Sequence, residues 1–305
     1  MTTMLKSIEF MPAKHLFLII LVCLSWSFNF TAGAAGMQHF SPLLFMILRF
    51  SIILIAVFPF LRRPPPGQWL RLLLVCVLIG VLHFTIMFWA LARSTDVSSV
   101  AIIQQTYIPM AVVLAIIILG EQIGWRSLLA TAIAFTGVMV IGFDPLVLGQ
   151  LDVLALALLS ALFQALGSIY MRGIRGVGVF SFQAWTAVIS LPCLVLLSLL
   201  LEQGQLAAIQ TASWVHWSSV AYSALIASLV GHGIFYFLVQ RHPLSSVMPY
   251  MLLTPVFAVL FGVLVWGDRP GWRLFLGGLL VLTGIFVITL RARQKSQNSP
   301  GMARS

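Results

Sequence analysis

The stretch Gly120-Glu121-Gln122-Ile123-Gly124-Trp125-Arg126 returns 147 residues later as Gly267-Asp268-Arg269-Pro270-Gly271-Trp272-Arg273. At the same offset, Thr136-Gly137 aligns with Thr283-Gly284. Apolar residues often coincide by chance, but a shared pattern of two glycines, an acid, a tryptophan and an arginine is specific. The repetition predicts a chain built from two related halves.

The composition is that of a protein surrounded by lipid. Hydrophobic residues make up 61% of the chain and charged residues 8%, whereas a soluble domain carries roughly 25% charged residues. Because backbone polar groups in hydrocarbon must be satisfied internally, apolar spans of this length are predicted to be helices. The predicted spans are 15–35, 41–61, 70–92, 97–119, 126–143, 152–171, 181–201, 216–238, 245–266 and 272–290. The sequence therefore predicts an all-α membrane protein with ten transmembrane helices.

The basic residues indicate the orientation of these spans. With the N-terminus inside, 13 of the 17 Lys and Arg residues fall on the inner side and 3 on the outer side. This bias follows the positive-inside rule, so both termini are predicted to be cytoplasmic. Placed in this way, the net charge of +10 indicates the membrane surface rather than nucleic acid. We expect the first span to be retained as a helix, although it resembles a signal peptide.

Five spans in each half have a topological consequence. Because five is odd, the second half enters the membrane from the opposite side. We therefore predict two inverted five-helix repeats, residues 1–145 and residues 146–305, the second with a basic cytoplasmic tail. Inverted repeats are typical of secondary transporters, whose substrate site lies between the halves. Pro109 and Pro255 in the fourth and ninth spans are predicted to kink their helices, freeing the carbonyl of Gln105, and to act in gating.

Several short motifs resemble one known family in their order and spacing. They are Trp26-Ser27-Phe28-Asn29-Phe30, Leu48-Arg49-Phe50, Phe88-Trp89-Ala90-Leu91, Leu119-Gly120-Glu121, Thr136-Gly137-Val138, Val230-Gly231-His232-Gly233-Ile234, Leu253-Thr254-Pro255-Val256 and Thr283-Gly284. Together they resemble the EamA-type branch of the drug/metabolite transporter superfamily. Residues 230–241 are most similar to its O-acetylserine/cysteine exporter subgroup. The resemblance implies ten helices and export of small metabolites, often amino acids, across the bacterial inner membrane.

Three ionisable residues lie deep in predicted spans, namely Arg49, His83 and His232. Such residues are costly in lipid and are candidates for function. His83 and His232 occupy corresponding spans, so we expect both to face a central cavity from opposite halves and one or both to contact substrate; a neutral hydrogen-bonded spacer is the alternative. Arg49 is expected either to bond helix carbonyls or to meet a ligand anion such as a carboxylate.

Further polar and aromatic residues complete the candidate substrate site. They are Asn29, Trp89, Gln105, Tyr107, Gln164, Tyr236 and Tyr250. Trp89 and Tyr236 correspond at the 147-residue offset. A cavity wall of this kind suits a ligand that is a small zwitterion or carries a flat ring. The alternative role for the aromatic residues is anchoring at the membrane interface. The sequence predicts no metal site and no cofactor.

The leading prediction is a secondary transporter that exports small metabolites such as amino acids or their derivatives. Efflux of hydrophobic or cationic compounds is a second hypothesis, although no acidic residue lies deep in a span to pair with a cation. A membrane-embedded enzyme and a channel are less favoured, because the chain contains no metal-binding, nucleophile or filter motif. The expected partners are a small-molecule substrate and the lipid bilayer, without nucleic acid or an obligate protein partner.

Overall fold

The computed structural model describes residues 11–94, 100, 103–121, 124–142, 150–261, 264–265 and 272–297. Within these ranges the chain forms helices joined by turns, without strands. The first helices are α1 (Ala13–Met37), α2 (Pro42–Val57), α3 (Trp69–Arg93), α4 (Tyr107–Leu119) and α5 (Trp125–Gly142). They are followed by α6 (Leu151–Arg172), α7 (Val179–Leu201), α8 (Gln205–Thr211), α9 (Trp214–Arg241), α10 (Leu244–Met251), α11 (Leu253–Phe261) and α12 (Trp272–Gln297).

In the described part of the chain, 6 helices are long and apolar enough to cross a membrane. They are α1, α2 with the turn that extends it to Phe60, α3, α6, α7 and α9. Shorter apolar helices occupy Tyr107–Leu119, Leu128–Val140 and Ser246–Phe261. The prediction of an all-helical, multi-pass membrane protein is confirmed, while membrane crossing by the other four predicted spans stays a prediction.

The repeated motif ends one helix and begins the next. Gly120 terminates α4 with a left-handed φ of 65°, a conformation that glycine adopts without a steric penalty. Glu121 follows, and its Oε1 accepts a hydrogen bond of 3.1 Å from the backbone N–H of Leu244 at the start of α10. Trp125 then begins α5, as Trp272 of the second copy begins α12. Asp268 of the second copy lies outside the described residues.

Two helices contain wide, π-helical segments that the sequence did not predict. One is Cys76–His83 in α3 and the other is Tyr222–His232 in α9. Each segment ends on one of the two membrane histidines. Such segments are rare and are frequently found at functional sites.

The helices near the two prolines are broken rather than kinked. Pro109 is the third residue of α4, after a turn at residues 105–106, and Pro255 is the third residue of α11, after a turn at residue 252. In a first helical turn the missing N–H of proline costs nothing. The expectation of a free Gln105 carbonyl was wrong, because this oxygen accepts a hydrogen bond of 3.0 Å from the Ile108 N–H.

One end of the bundle gathers residues that the topology predicts to be cytoplasmic. The Arg172 guanidinium lies 3.3 Å from the Glu121 carboxylate and also donates to the carbonyls of Val239 and His242. His242 in turn contacts the ring of His15 at 2.7 Å. The ends of α1, α4, α6 and α9 are thereby tied together.

A second group of contacts joins residues that are predicted to lie on the outer side. Glu202 accepts hydrogen bonds from the N–H groups of Leu43 and Leu44 at 2.8 and 3.1 Å, which places a carboxylate at the positive end of α2. Arg93 lies 3.8 Å from Asp152. Each end of the bundle therefore collects residues from one predicted side only.

Helices α5 and α12 pack closely because each carries a glycine at the crossing. A Cβ atom on Gly137 would lie 2.5 Å from the carbonyl oxygen of Gly277, and one on Gly284 would lie 2.6 Å from that of Ala130. Gly284 and Gly277 follow Gly137 and Ala130 by 147 residues. The contact is thus reciprocal at the offset of the repeat, as in a two-fold symmetric pair.

We expect Gly284→Ala to lower the unfolding temperature of the protein in detergent. Overpacking at a helix crossing typically costs about 1–3 kcal/mol. Gly278→Ala on the same helix is the matched control, because a Cβ there meets no atom within 4 Å. This control should leave the unfolding temperature unchanged or slightly higher, since alanine is the better helix former. Equal unfolding temperatures for the two variants would contradict the close α5–α12 crossing.

Candidate functional site

A cavity of about 50 Å³, lined mostly by buried side chains, lies between helices from both halves of the chain. The first half contributes Trp26, Asn29 and Phe30 from α1, His83, Phe84 and Met87 from α3, and Gln104, Gln105 and Tyr107 around the start of α4. The second half contributes Gln164 from α6, His232 from α9 and Thr254 from α11. We call this the central cavity.

Hydrogen bonds hold both histidines of the central cavity, His83 to α6 and His232 to the π-helical segment of α9. The Nδ1 atom of His83 lies 3.1 Å from the Ser160 carbonyl oxygen, and that of His232 lies 2.8 Å from the Ala227 carbonyl oxygen. A carbonyl only accepts hydrogen bonds, so each Nδ1 carries the proton. In a neutral imidazole this arrangement leaves Nε2 as an acceptor, and neither Nε2 has a partner among the described residues.

Most other polar groups of the cavity wall also lack partners in the described part of the chain. The buried atoms are Asn29 Oδ1, both amide atoms of Gln104, the Tyr107 hydroxyl, Gln164 Oε1 and the Thr254 hydroxyl. A buried polar atom without a partner is uncommon and costs about 1–3 kcal/mol. Five such side chains around one cavity indicate a site that a polar ligand or water would complete.

A second, smaller cavity of about 20 Å³ adjoins the first. The two cavities share Phe84 and His232, and the second is also lined by Arg49, Gln183, Thr186, Ser228 and Tyr236. We call this the arginine cavity. Its walls come from α2, α3, α7 and α9.

Arg49 is fully buried at the arginine cavity, with a relative exposure of 0%. Its Nε donates a hydrogen bond of 2.8 Å to the Ser228 hydroxyl, and Nη1 lies 3.7 Å from the Met46 sulfur. The guanidinium carbon lies 4.1 Å from the centre of the Phe84 ring. No helix carbonyl is among its partners in the described chain, so the predicted carbonyl-bonded role does not fit this geometry.

The structure separates the candidate site residues into three groups. Asn29, His83, Gln105, Tyr107, Gln164 and His232 line the central cavity, and Arg49 and Tyr236 line the arginine cavity, with His232 common to both. Trp89 and Tyr250 line neither. Trp89 stacks instead against Arg93 at the end of α3, with 5.9 Å between guanidinium and ring, and the Tyr250 carbonyl accepts a bond from the Cys23 thiol at 3.6 Å.

Sequence analysis missed several cavity residues. Trp26 and Phe84 contact the His232 ring, with centroids 4.5 and 5.2 Å away. The sequence alone does not show which aromatic residues of a span face a cavity, so these two were not selected. Thr254 could have been found, because it follows Tyr107 by the repeat offset of 147 residues. In the described residues, no group of three or more His, Cys, Asp or Glu side chains could hold a metal ion.

These features define a multi-pass membrane protein with buried polar cavities between its helices. The sequence profile of the EamA-like transporter family matches residues 13–143 and 153–290, and the chain belongs to this family. The resemblance found in the sequence is thereby confirmed.

Individual relatives carry names that refer to efflux. The "Probable amino-acid metabolite efflux pump" of Escherichia coli strain K12 is 28% identical, over 91% of this chain and 95% of that protein. The "Probable terminal-alkyne amino-acid exporter" of Streptantibioticus cattleyicolor is 22% identical, over 95% of this chain and 98% of that protein. A solved crystal structure superposes with a TM-score of 0.74 at 16% identity, covering 93% of this chain and 99% of the other, which shows a shared fold.

We expect Pro109→Ala combined with Pro255→Ala to slow transport more than it weakens binding. Alanine supplies the missing N–H, so the helix can close across each break and lose a flexible point. Initial rates and apparent affinities in proteoliposomes measure the two effects separately. Pro192→Ala is the control, because this proline lies inside α7 and lines neither cavity. If the double variant transports at the full rate, the two helix breaks are not needed for the conformational change of transport.

Proposed function

We propose that this protein is a secondary transporter that exports small metabolites, in particular amino acids or their derivatives, by alternating access. The observation that carries the proposal is the central cavity, which lies between the halves and is lined by five side chains with a buried polar atom that has no partner in the described chain. Membership of the EamA-like transporter family supports it, as do the names of the relatives in Escherichia coli and Streptantibioticus. The family also favours a transporter over an enzyme.

We infer that ten transmembrane helices form two inverted repeats, with the division near residue 145. The family profile matches two successive segments that meet in this region. The reciprocal Gly137 and Gly284 contacts, the π-helical segments that end on His83 and His232, and the pairing of Tyr107 with Thr254 support a pseudo-two-fold relation. Such an axis would let the two halves rock around a site at their interface.

The proposed location is the bacterial inner membrane with both termini in the cytoplasm. The excess of basic residues at one side supports this orientation. The grouping of contacts agrees with it, since Glu121, Arg172 and His15 meet at one end of the bundle while Arg93 and Asp152 meet elsewhere.

Efflux of cationic compounds is the less favoured alternative. Neither cavity has an Asp or Glu among its lining residues in the described chain, so a desolvated cation would lack a counter-charge. The buried guanidinium of Arg49 beside the central cavity would further repel it.

A counterflow screen of labelled amino acids in proteoliposomes tests the proposed function. We expect at least one amino acid or derivative to exchange, and the compound recovered from the vesicles to be chemically unchanged. A chemically altered compound would instead indicate an enzyme. Failure of all amino acids, with exchange of hydrophobic or cationic compounds, would replace the proposed substrate class.

The histidine variants test the site within the same assay. Loss of one hydrogen bond to a polar ligand in a desolvated site typically costs about 1–3 kcal/mol, so His83→Ala or His232→Ala should weaken apparent affinity roughly 5- to 150-fold. His39→Ala is the control, since His39 stacks on His216 and lines neither cavity. Two well-folded cavity variants with unchanged affinity would contradict a substrate role for the histidines.

Cysteine labelling tests the orientation. In a background without native cysteines, an impermeant thiol reagent added outside should label Arg269→Cys and spare Gln122→Cys. The two positions belong to the two copies of the repeated motif, which the inverted arrangement puts on opposite sides. Labelling of Gln122→Cys alone would contradict the proposed orientation, and equal labelling of both positions in intact cells would contradict the inversion.

A further inference from the structure

We propose that the arginine cavity is a subsite for the carboxylate of the transported metabolite, with Arg49 as its anion-binding residue. The proposal deepens the proposed function and rests on it for the identity of the ligand. It divides recognition between two adjoining cavities: the arginine cavity takes the negative group and the central cavity takes the rest of the molecule.

The first argument is the missing counter-charge. A buried charged side chain is stable only when it is paired and hydrogen-bonded. Arg49 is fully buried, yet the ion pairs of the described chain are Arg93 with Asp152 and Arg172 with Glu121. No carboxylate therefore neutralises Arg49 within the described residues, and an anionic ligand would supply the missing charge.

The second argument is the number of unused donors. A guanidinium presents five N–H donors in a planar fork that matches the two oxygens of a carboxylate. In Arg49 one donor reaches the Ser228 hydroxyl, and another approaches the weakly accepting Met46 sulfur. The remaining donors have no partner in the described chain, so Arg49 keeps the capacity for a bidentate bond.

The third argument is that the surrounding residues hold the guanidinium in place without neutralising it. The Ser228 hydroxyl accepts a hydrogen bond of 2.8 Å from Arg49 Nε and donates one of 2.6 Å to the Ser223 carbonyl, within the π-helical segment of α9. The Phe84 ring stacks on the guanidinium at 4.1 Å, and the Phe88 ring lies 5.8 Å away. These contacts hold the planar guanidinium group of Arg49 at the wall of the arginine cavity.

The fourth argument is the chemical contrast between the cavities. Besides donors such as the Tyr107 and Thr254 hydroxyls, the central cavity offers acceptors. These are Nε2 of neutral His83 and His232 and the side-chain oxygens of Asn29 and Gln164, which have no partner in the described chain. Acceptors suit an ammonium group, whereas the guanidinium of Arg49 suits a carboxylate. Two such cavities joined at Phe84 and His232 match a zwitterion, such as an α-amino acid.

Thermal unfolding of the purified full-length protein in detergent tests the subsite directly. The probes are sodium acetate as the carboxylate, acetamide as its uncharged isostere and sodium chloride as the inorganic anion. A ligand that binds only the folded protein raises the unfolding temperature in a saturable manner. We expect acetate to do so, and acetamide to have no effect at equal concentration.

The variants assign the effect to Arg49. Arg49→Gln should raise the acetate concentration for half-maximal stabilisation at least about tenfold, since a charged hydrogen-bonded pair is lost. Arg175→Gln removes an equal charge from an exposed position outside both cavities and should leave the acetate response unchanged. If Arg49→Gln does not fold, Ser228→Ala replaces it, because loss of the Nε partner should weaken the acetate response several-fold while the charge remains.

Three outcomes would overturn the proposal. They are no saturable acetate response in the wild type, an equal response in the well-folded Arg49→Gln or Ser228→Ala variant, and an equal response to chloride, which would indicate an inorganic anion site only.

The counterflow screen separates failure of the subsite from failure of the proposed function. Exchange of an amino acid without an Arg49-dependent acetate response would remove the subsite alone. An Arg49-dependent acetate response without amino-acid exchange would leave an anion subsite in a transporter of other substrates.

Discussion

Every polar group inside a membrane needs a partner within the protein, because lipid offers none. Several hydroxyls of this chain meet the requirement within their own helix. The Ser27, Ser168 and Thr186 hydroxyls each donate to the carbonyl four residues earlier in their own helix. Around the central cavity the requirement is left unmet, as the Asn29 and Tyr107 side chains show. In the described chain, all three amide side chains with an unpaired buried atom line the central cavity, whereas the six unpaired hydroxyls elsewhere belong to Ser and Thr. The unpaired amides therefore mark the candidate site.

The π-helical segment Tyr222–His232 of α9 contributes both to helix packing and to the geometry of both cavities. In this segment the carbonyls of Ile226 and Ala227 accept bonds from the Ser25 and Trp26 side chains of α1, at 3.3 Å each. The Ala227 carbonyl also fixes the His232 ring. The same π-helical segment supplies the hydroxyl that orients Arg49. One local departure from α-helical geometry thus joins α1 to α9 and positions the polar groups of two cavities.

The course of the helices could be predicted because it depends on the length of apolar runs. The predicted spans 152–171 and 181–201 agree with Leu151–Arg172 and Val179–Leu201 within two residues at each end. Helix breaks could be anticipated at the prolines, although their form could not. The wide turns of α3 and α9 were not predictable, because their carbonyls find partners on other helices and no local residue pattern specifies this.

The candidate site was predictable in part for a related reason. Ionisable and amide residues in spans are costly enough to be noticed in a sequence, and six of the ten candidates line the central cavity. The positions of the other four candidates depend on how each helix is rotated about its own axis. Trp89 and Tyr236 correspond at the repeat offset, yet Tyr236 lines the arginine cavity while Trp89 stacks on Arg93. Sequence correspondence predicts the depth of a residue, whereas the face that it occupies depends on the packing of its own helix.

The unpaired groups also bear on how a transporter can release its substrate. If the empty site were fully hydrogen-bonded, a ligand would have to displace those bonds, and little free energy would remain for binding. Here several polar groups of the cavity walls have no partner in the described chain, while neighbours hold others in position, as Ser160 does for His83 and Ser228 for Arg49. A ligand that completes the missing bonds gains from this preorganisation.

On the proposed function, a movement that shifts α9 relative to α1 and α2 would disturb both cavities at once, because His232 and Ser228 lie in the same π-helical segment. Binding and release would then depend on one helix, and the two parts of a zwitterion would be released together.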